Sequence, residues 1–144
     1  MFSHNSEALD YIHDLIDTNK ATIGLESVWY GDEDFAAPYP AAVVMAGGIT
    51  RDYVATRTFE VILQVTIFVI HADMSVSHKI RTRQDMLFAE SVVDFLHTDY
   101  TLGSNVINGY VASETPGVIN RAKGNGVVST SLAWIGRSRA PFGG

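Results

Sequence analysis

The chain contains no cysteine. That excludes disulfide staples, zinc–thiolate sites and thiol catalysis. Positive charge is also scarce: ten Lys and Arg stand against sixteen Asp and Glu, a net charge of −6. A general nucleic-acid binder rests its affinity on cations that neutralise phosphates, and this chain has few to offer. No apolar run approaches the ~20 residues that a membrane-spanning helix needs. The opening stretch MFSHNSEALDYIHDLI has no basic segment followed by an apolar one, so no signal peptide is expected. Internal repeats and low-complexity segments are missing too. So are the spacings of a phosphate loop and of a strained nucleophile elbow, and no pair of carboxylates is placed for acid–base work. The expectation is a soluble, cytoplasmically made protein with no catalysis and no cofactor.

What the chain does have is apolar mass. Of its 144 residues 47% are hydrophobic and 18% charged, enough for one domain with a real core. The densest stretch is FEVILQVTIFVI, Phe59 to Ile70. Its β-branched and aromatic residues suit a pleated strand better than a helix. Alternation sorts two faces. Phe59, Val61, Leu63, Val65, Ile67 and Val69 form a wholly apolar face. Glu60, Ile62, Gln64, Thr66, Phe68 and Ile70 form a second face, polar at its start and greasy at its end. At ~3.3 Å per residue the strand spans about 40 Å and crosses the whole domain.

Around it the periodicity predicts a helix over 6–19, capped by Ser6, with Leu9, Ile12, Leu15 and Ile16 as its stripe. A short strand is predicted near Ser27–Tyr30. The acidic stretch GDEDFAAPYP, 31–40, reads as a loop. A second short strand over 40–48 is predicted to end at the Gly47-Gly48 turn. A helix is predicted over 77–98, capped by Ser75 or Ser77, with Phe88, Ala89, Val92, Val93, Phe95 and Leu96 covering the long strand. VINGYVASE, 106–114, is strand-like, and TPG at 115–117 punctuates it. Asn125-Gly126 predicts a hairpin turn into a last strand over 127–136. There Val128, Thr130, Leu132 and Trp134 share one side. RSRAPFGG, 137–144, is expected to be a flexible tail. Residues 1–136 thus make a single α+β domain: one antiparallel or mixed sheet with one long strand and two main helices on one face.

The candidate chemistry is thin. His71, Asp73 and His78 are the nearest thing to a metal set, but no further pair completes it. The acids Asp32, Glu33 and Asp34 fit no calcium-loop spacing and read as a solvated or partner-facing loop. Arg121 and Lys123 make a small basic tip on the predicted hairpin. Arg81 and Arg83 start a helix, where the dipole disfavours cations, and they suggest a carboxylate partner such as Glu60 or Asp73, within or between subunits. The excess of apolar surface over what the helices can cover points to assembly rather than catalysis.

The order of elements resembles the tail terminator proteins of long-tailed phages, also called tail completion or head–tail joining proteins. The stretches that carry the likeness are SEALDYIHDLI, TRTFEVILQVTIFVI, RTRQDMLFAESVVDFL and VINGYVASETPGVINRAKGNGVVSTSLAWIG, together about residues 6–136. It is a likeness of layout, not of any short signature. The resemblance implies a one-domain subunit of a ring, usually hexameric, that caps the tail tube and meets the head connector. DNA passes through its hole unread, which suits an acidic chain. The implied partners are further copies of the chain, the tail tube protein and connector or neck proteins, and the implied location is the virion. The subunit interface is then expected at Ile62, Phe68, Ile70, Arg81 and Arg83. Tube or connector contacts are expected at Asp32, Glu33, Asp34, Arg51, Arg121 and Lys123, on loops 31–40 and 47–55 and the tip at 121–126. The competing readings are another neck or minor tail protein, and a small dimeric α+β enzyme or ligand-binding domain.

Overall fold

The long apolar run becomes the middle strand of a five-stranded sheet. The computed structural model describes residues 1–31, 38–55, 58–71, 78–120 and 127–141. In chain order the elements are α1 (Asn5–Thr18), α2 (Lys20–Ile23), β1 (Ser27–Tyr30), β2 (Ala41–Ala55), β3 (Thr58–His71), α3 (His78–Thr98), β4 (Asn108–Asn120) and β5 (Val127–Pro141). The sheet order is β1-β2-β3-β5-β4. β1 runs parallel to β2, and every other pair is antiparallel. The α+β architecture with a mixed sheet agrees with the expectation from sequence.

The two faces of β3 behave as their alternation dictates. Val61, Leu63, Val65, Ile67 and Val69 are buried, while Glu60, Ile62, Gln64, Thr66 and Phe68 are only half-buried. Over the apolar face lie both long helices. α1 contributes Ala8, Ile12 and Ile16, and α3 contributes Ala89, Val92 and Leu96. The sequence suggests α3 as the cover for the strand, but α3 shares that role with α1. α3 packs on β3, β5 and β4, and α1 roofs β1, β2 and β3. A sheet five strands wide is broader than one helix of about 10 Å diameter.

Several breaks expected from sequence are absent. Gly47-Gly48 does not end a strand; β2 runs straight through it with a bulge opposite Gln64, between the pairs Ala46–Val65 and Ile49–Leu63. Glycine is needed here because a Cβ on Gly47 would come within 2.8 Å of the Gln64 Cβ. The side chain of Asn5 fills the gap in the ladder. Its amide donates to the Gly47 carbonyl at 2.7 Å and the Gly48 carbonyl at 3.1 Å, and its oxygen accepts from the Gln64 N–H at 3.1 Å. Asn5→Ala is expected to cost about 1–3 kcal/mol by leaving these groups unpaired. Urea denaturation checks it, and a cost below about 0.5 kcal/mol would mean water replaces the amide without loss.

Likewise TPG does not interrupt β4. Pro116 sits opposite Thr130 within a continuous pairing. β4 is an edge strand, so a residue with no N–H is tolerated on its outer side. The tail expected from 137 is also corrected: β5 continues to Pro141, which pairs with Thr58. The length of β3 supplies a partner for those residues, which their own composition does not reveal.

The helix ends differ as well. Ser6 lies inside α1, and the N-cap is His4. Glu7 reaches back to accept from the N–H groups of Ser3 and His4 at 3.1 and 3.2 Å, so the helix starts earlier than Ser6. α1 stops at Thr18, and Lys20 opens the one-turn helix α2. Ser75, Ser77 and the Asn125-Gly126 turn lie outside the described residues.

Candidate functional site

The helices leave the other face of the sheet bare of any described helix. β3 places Ile62, Gln64, Thr66 and Phe68 there. Residues directly opposite one another on paired strands share a face. Register therefore adds Val43 and Met45 from β2, opposite Phe68 and Thr66. β5 adds Ser131, Ala133, Ile135 and Arg137, opposite Phe68, Thr66, Gln64 and Ile62. Tyr110 of β4 stands opposite Ile135. Met45 and Tyr110 are exposed, and Ile62, Phe68 and Ile135 are half-buried between neighbouring strands. The result is a broad apolar surface with small polar residues between the large ones.

One end of this face is charged. Arg137 donates from Nε to Glu60 Oε1 at 3.1 Å and from Nη2 to Oε2 at 3.0 Å. These hydrogen bonds hold the Glu60 carboxyl below the usual carboxylate range and raise the Arg137 guanidinium. Arg139 stands opposite Glu60 and is exposed. The register places the exposed Asp52 opposite Glu60 as well, so the face runs from Phe68 through Ile135 and Ile62 to a rim of two arginines and two carboxylates.

The expected interface residues divide. Ile62 and Phe68 lie on the open face as expected. Ile70 shares its strand face but is only 6% exposed, so the chain already covers it. Arg81 is 5% exposed on the core side of α3. Its expected partner Glu60 is taken by Arg137, and Asp73 lies outside the described residues. Arg83 is exposed on the outer side of the same helix. Arg51 is exposed too, opposite Val61, on a strand and not the loop expected over 47–55. Asp32, Glu33, Asp34, Arg121 and Lys123 lie outside the described residues. Sequence reasoning missed Met45, Tyr110 and Ile135. Only strand order shows that they share one surface.

On the helix side one polar group is deeply buried. Asp85 is 1% exposed and accepts from the Thr130 hydroxyl at 2.9 Å. Burial pushes its carboxyl up to about 7. His71, of the candidate metal set, is also buried, with Nε2 2.9 Å from Gln84 Oε1. A shallow cleft beside β1 is lined by Leu9, Asp10, Tyr30, Val44 and Met45. Its acid is already engaged: the Tyr30 hydroxyl donates to Asp10 at 3.0 Å. That cleft lacks the converging polar groups of a ligand site.

No protein-family model matches the sequence, and no curated protein matches it. Among solved structures, a chain of a virion of a native gene transfer agent particle is 14% identical, with a TM-score of 0.61 over 90% of this chain and 92% of its own length. A second solved chain is 20% identical over 92% of this chain, but its TM-score of 0.35 carries no argument. The first likeness spans nearly the whole of both chains, and at that identity it shows a shared fold.

Proposed function

We propose that this chain is a structural subunit of a phage-like virion: a ring that caps the tail tube, ends its polymerisation and joins the tail to the head connector. The observation that carries this reading is the likeness, along nearly the whole of both chains, to a chain of a virion particle. The bare sheet face supports it, since a large apolar surface on a monomer marks a contact site. In this reading the partners are further copies in a ring, expected to be a hexamer, together with the tail tube protein and a connector protein. The chain catalyses nothing. DNA passes through the ring, and the net charge of −6 keeps the passage from gripping it. Assembly takes place in the host cytoplasm, and the product resides in the virion.

Mass by light scattering, with and without purified tail tubes, followed by negative-stain imaging, tests this. A ring, alone or at one end of each tube, is the expected result. A compact dimer that ignores the tubes sinks the reading and favours a small-molecule binder. Within the ring, Phe68→Asp is expected to weaken self-association at least about 30-fold, the effect of losing one central interface anchor. Sedimentation reads the loss, and an unchanged circular dichroism spectrum shows that the fold survives. Association at the wild-type level would mean the bare face is not the contact.

A further inference from the structure

The first turns of α3 are built inside out. The core-facing line of this helix is Arg81, Asp85, Ala89, Val92 and Leu96, one residue every three or four. From Ala89 onward the line is apolar and fully buried, and Glu90 and Asp94 are exposed on the outer side. That is the ordinary pattern of a helix covering a sheet. Before Ala89 the pattern is reversed. Arg81 is 5% and Asp85 1% exposed, whereas Ile80 is 48%, Met86 40% and Leu87 61% exposed. The same turns carry Lys79, Arg81 and Arg83 and no acid in the first turn, at the helix end where the dipole disfavours cations.

Polar contacts therefore seat this half of the helix. Gln84 Oε1 lies 2.9 Å from His71 Nε2 at the end of β3, and the Thr130 hydroxyl of β5 donates to Asp85 Oδ2 at 2.9 Å. Asp85 Oδ1 has no hydrogen-bond partner among the described residues. Such hydrogen bonds give little net stability, because water replaces them when the segment lifts. A buried carboxylate without compensation is costly. Phe88 marks the boundary between the two halves. Its ring meets His71 edge-on at 5.6 Å and lies against Gly24, where a Cβ would come within 2.9 Å of it. Among the described residues the ionising groups on this side are His71 from β3 and Arg81, one turn before Asp85. β5 offers Thr130 and keeps its arginines at its far end. α1 and α2 turn Ile12, Ile16 and Ile23 to the core, Lys20 pairs with Asp17, and Glu114 of β4 is exposed.

We propose that residues 78–88 of α3 open as a unit separate from the rest of the fold, held on the sheet while Asp85 carries its proton and released as the carboxyl ionises. Burial pushes the seated carboxyl up to about 7, against a usual value of 3.8. Between those values the seated segment keeps the proton and the lifted segment gives it up, so opening becomes easier as the pH rises. Above about 7 both forms are ionised and the effect levels off. The segment opens in the free chain, whether or not a ring forms.

Hydrogen exchange of the full chain, read by mass spectrometry and corrected for the intrinsic pH dependence of exchange, tests this. The amides of 82–88 are expected to be less protected than those of 92–96. Their protection is expected to fall about tenfold per pH unit between about pH 5 and pH 7 and to level off above that. Low urea is expected to leave 82–88 unchanged while protection of 92–96 falls, because a local opening exposes little surface and global unfolding exposes much. Equal protection and equal urea dependence in the two halves would show one cooperative unit and overturn the inference. That comparison needs the wild type alone, so it stands even where a variant fails to fold. In Asp85→Asn the segment is expected to keep its separate opening and lose the pH dependence. A slope in Asp85→Asn equal to that of the wild type would move the proton to another group, His71 first, and overturn the role of Asp85.

Discussion

Replacing Asp85 with asparagine is expected to flatten the pH dependence of stability between about pH 4 and pH 8. The Asp85 carboxyl has a usual value of 3.8 and is pushed up to about 7 by burial. Thr130 donates to one oxygen, and the other has no hydrogen-bond partner among the described residues. Below about 3.8 the group is neutral in both the folded and unfolded chain. Between 3.8 and 7 it is neutral only when folded, so folding takes up a proton and stability falls as the pH rises. Above about 7 the folded chain holds a buried carboxylate, and the loss is complete. The wild type is therefore expected to lose about 2–4 kcal/mol through this group across the window. The amide of the Asp85→Asn variant keeps an acceptor for Thr130 and cannot ionise. The variant is expected to be at most slightly weaker at about pH 4 and clearly more stable at about pH 8. Urea midpoints at several pH values measure this. A variant whose curve runs parallel to the wild type would show that Asp85 ionises without penalty, by opening to water.

The second large effect is expected at Trp134. Its side chain is fully buried on the helix side of β5. It lies over two glycines, Gly109 of β4 and Gly136 of β5, at each of which a Cβ would collide with the indole. The ring thus occupies space that two neighbouring positions leave empty, and neither glycine has a side chain to refill it. Trp134→Ala is expected to cost about 3–5 kcal/mol. For a domain near this size that lowers the melting temperature by roughly 6–20 °C. Trp134→Phe is expected to cost much less, because the indole N–H has no hydrogen-bond partner among the described residues. Gly136→Ala tests the same contact from the other side and is expected to destabilise through overpacking, by about 1–3 kcal/mol. If Trp134→Ala and Trp134→Phe cost the same small amount, the platform collapses on itself and the packing argument fails.

Much of the core was legible in the sequence because it depends on local period. Alternation in Phe59–Ile70 assigns Val61 to Val69 to the buried face and Ile62 to Phe68 to the other, and the structure agrees. The same holds for Val128, Thr130, Leu132 and Trp134, and for much of the stripes of the two helices. Local punctuation misled wherever a partner strand was long enough to carry pairing through it. Gly47-Gly48, Thr115-Pro116-Gly117 and the segment after Gly136 each look like an end in isolation. In the fold each is held by β3 or β5.

Half of the candidate site followed the same division. That β3 has a second, partly greasy face is a property of twelve consecutive residues. That Met45, Tyr110 and Ile135 extend that face, that Arg137 holds Glu60 across 77 positions, and that Ile70 and Arg81 are covered are decided by the strand order and the seating of the helices. The physical reason is range. Side-chain direction along one element is set by backbone geometry over a few residues, whereas what a side chain meets depends on segments far away in the chain. The sequence by itself determined which face of each element is apolar; only the tertiary structure decided how those faces join into surfaces, which of them the chain covers and which it leaves open.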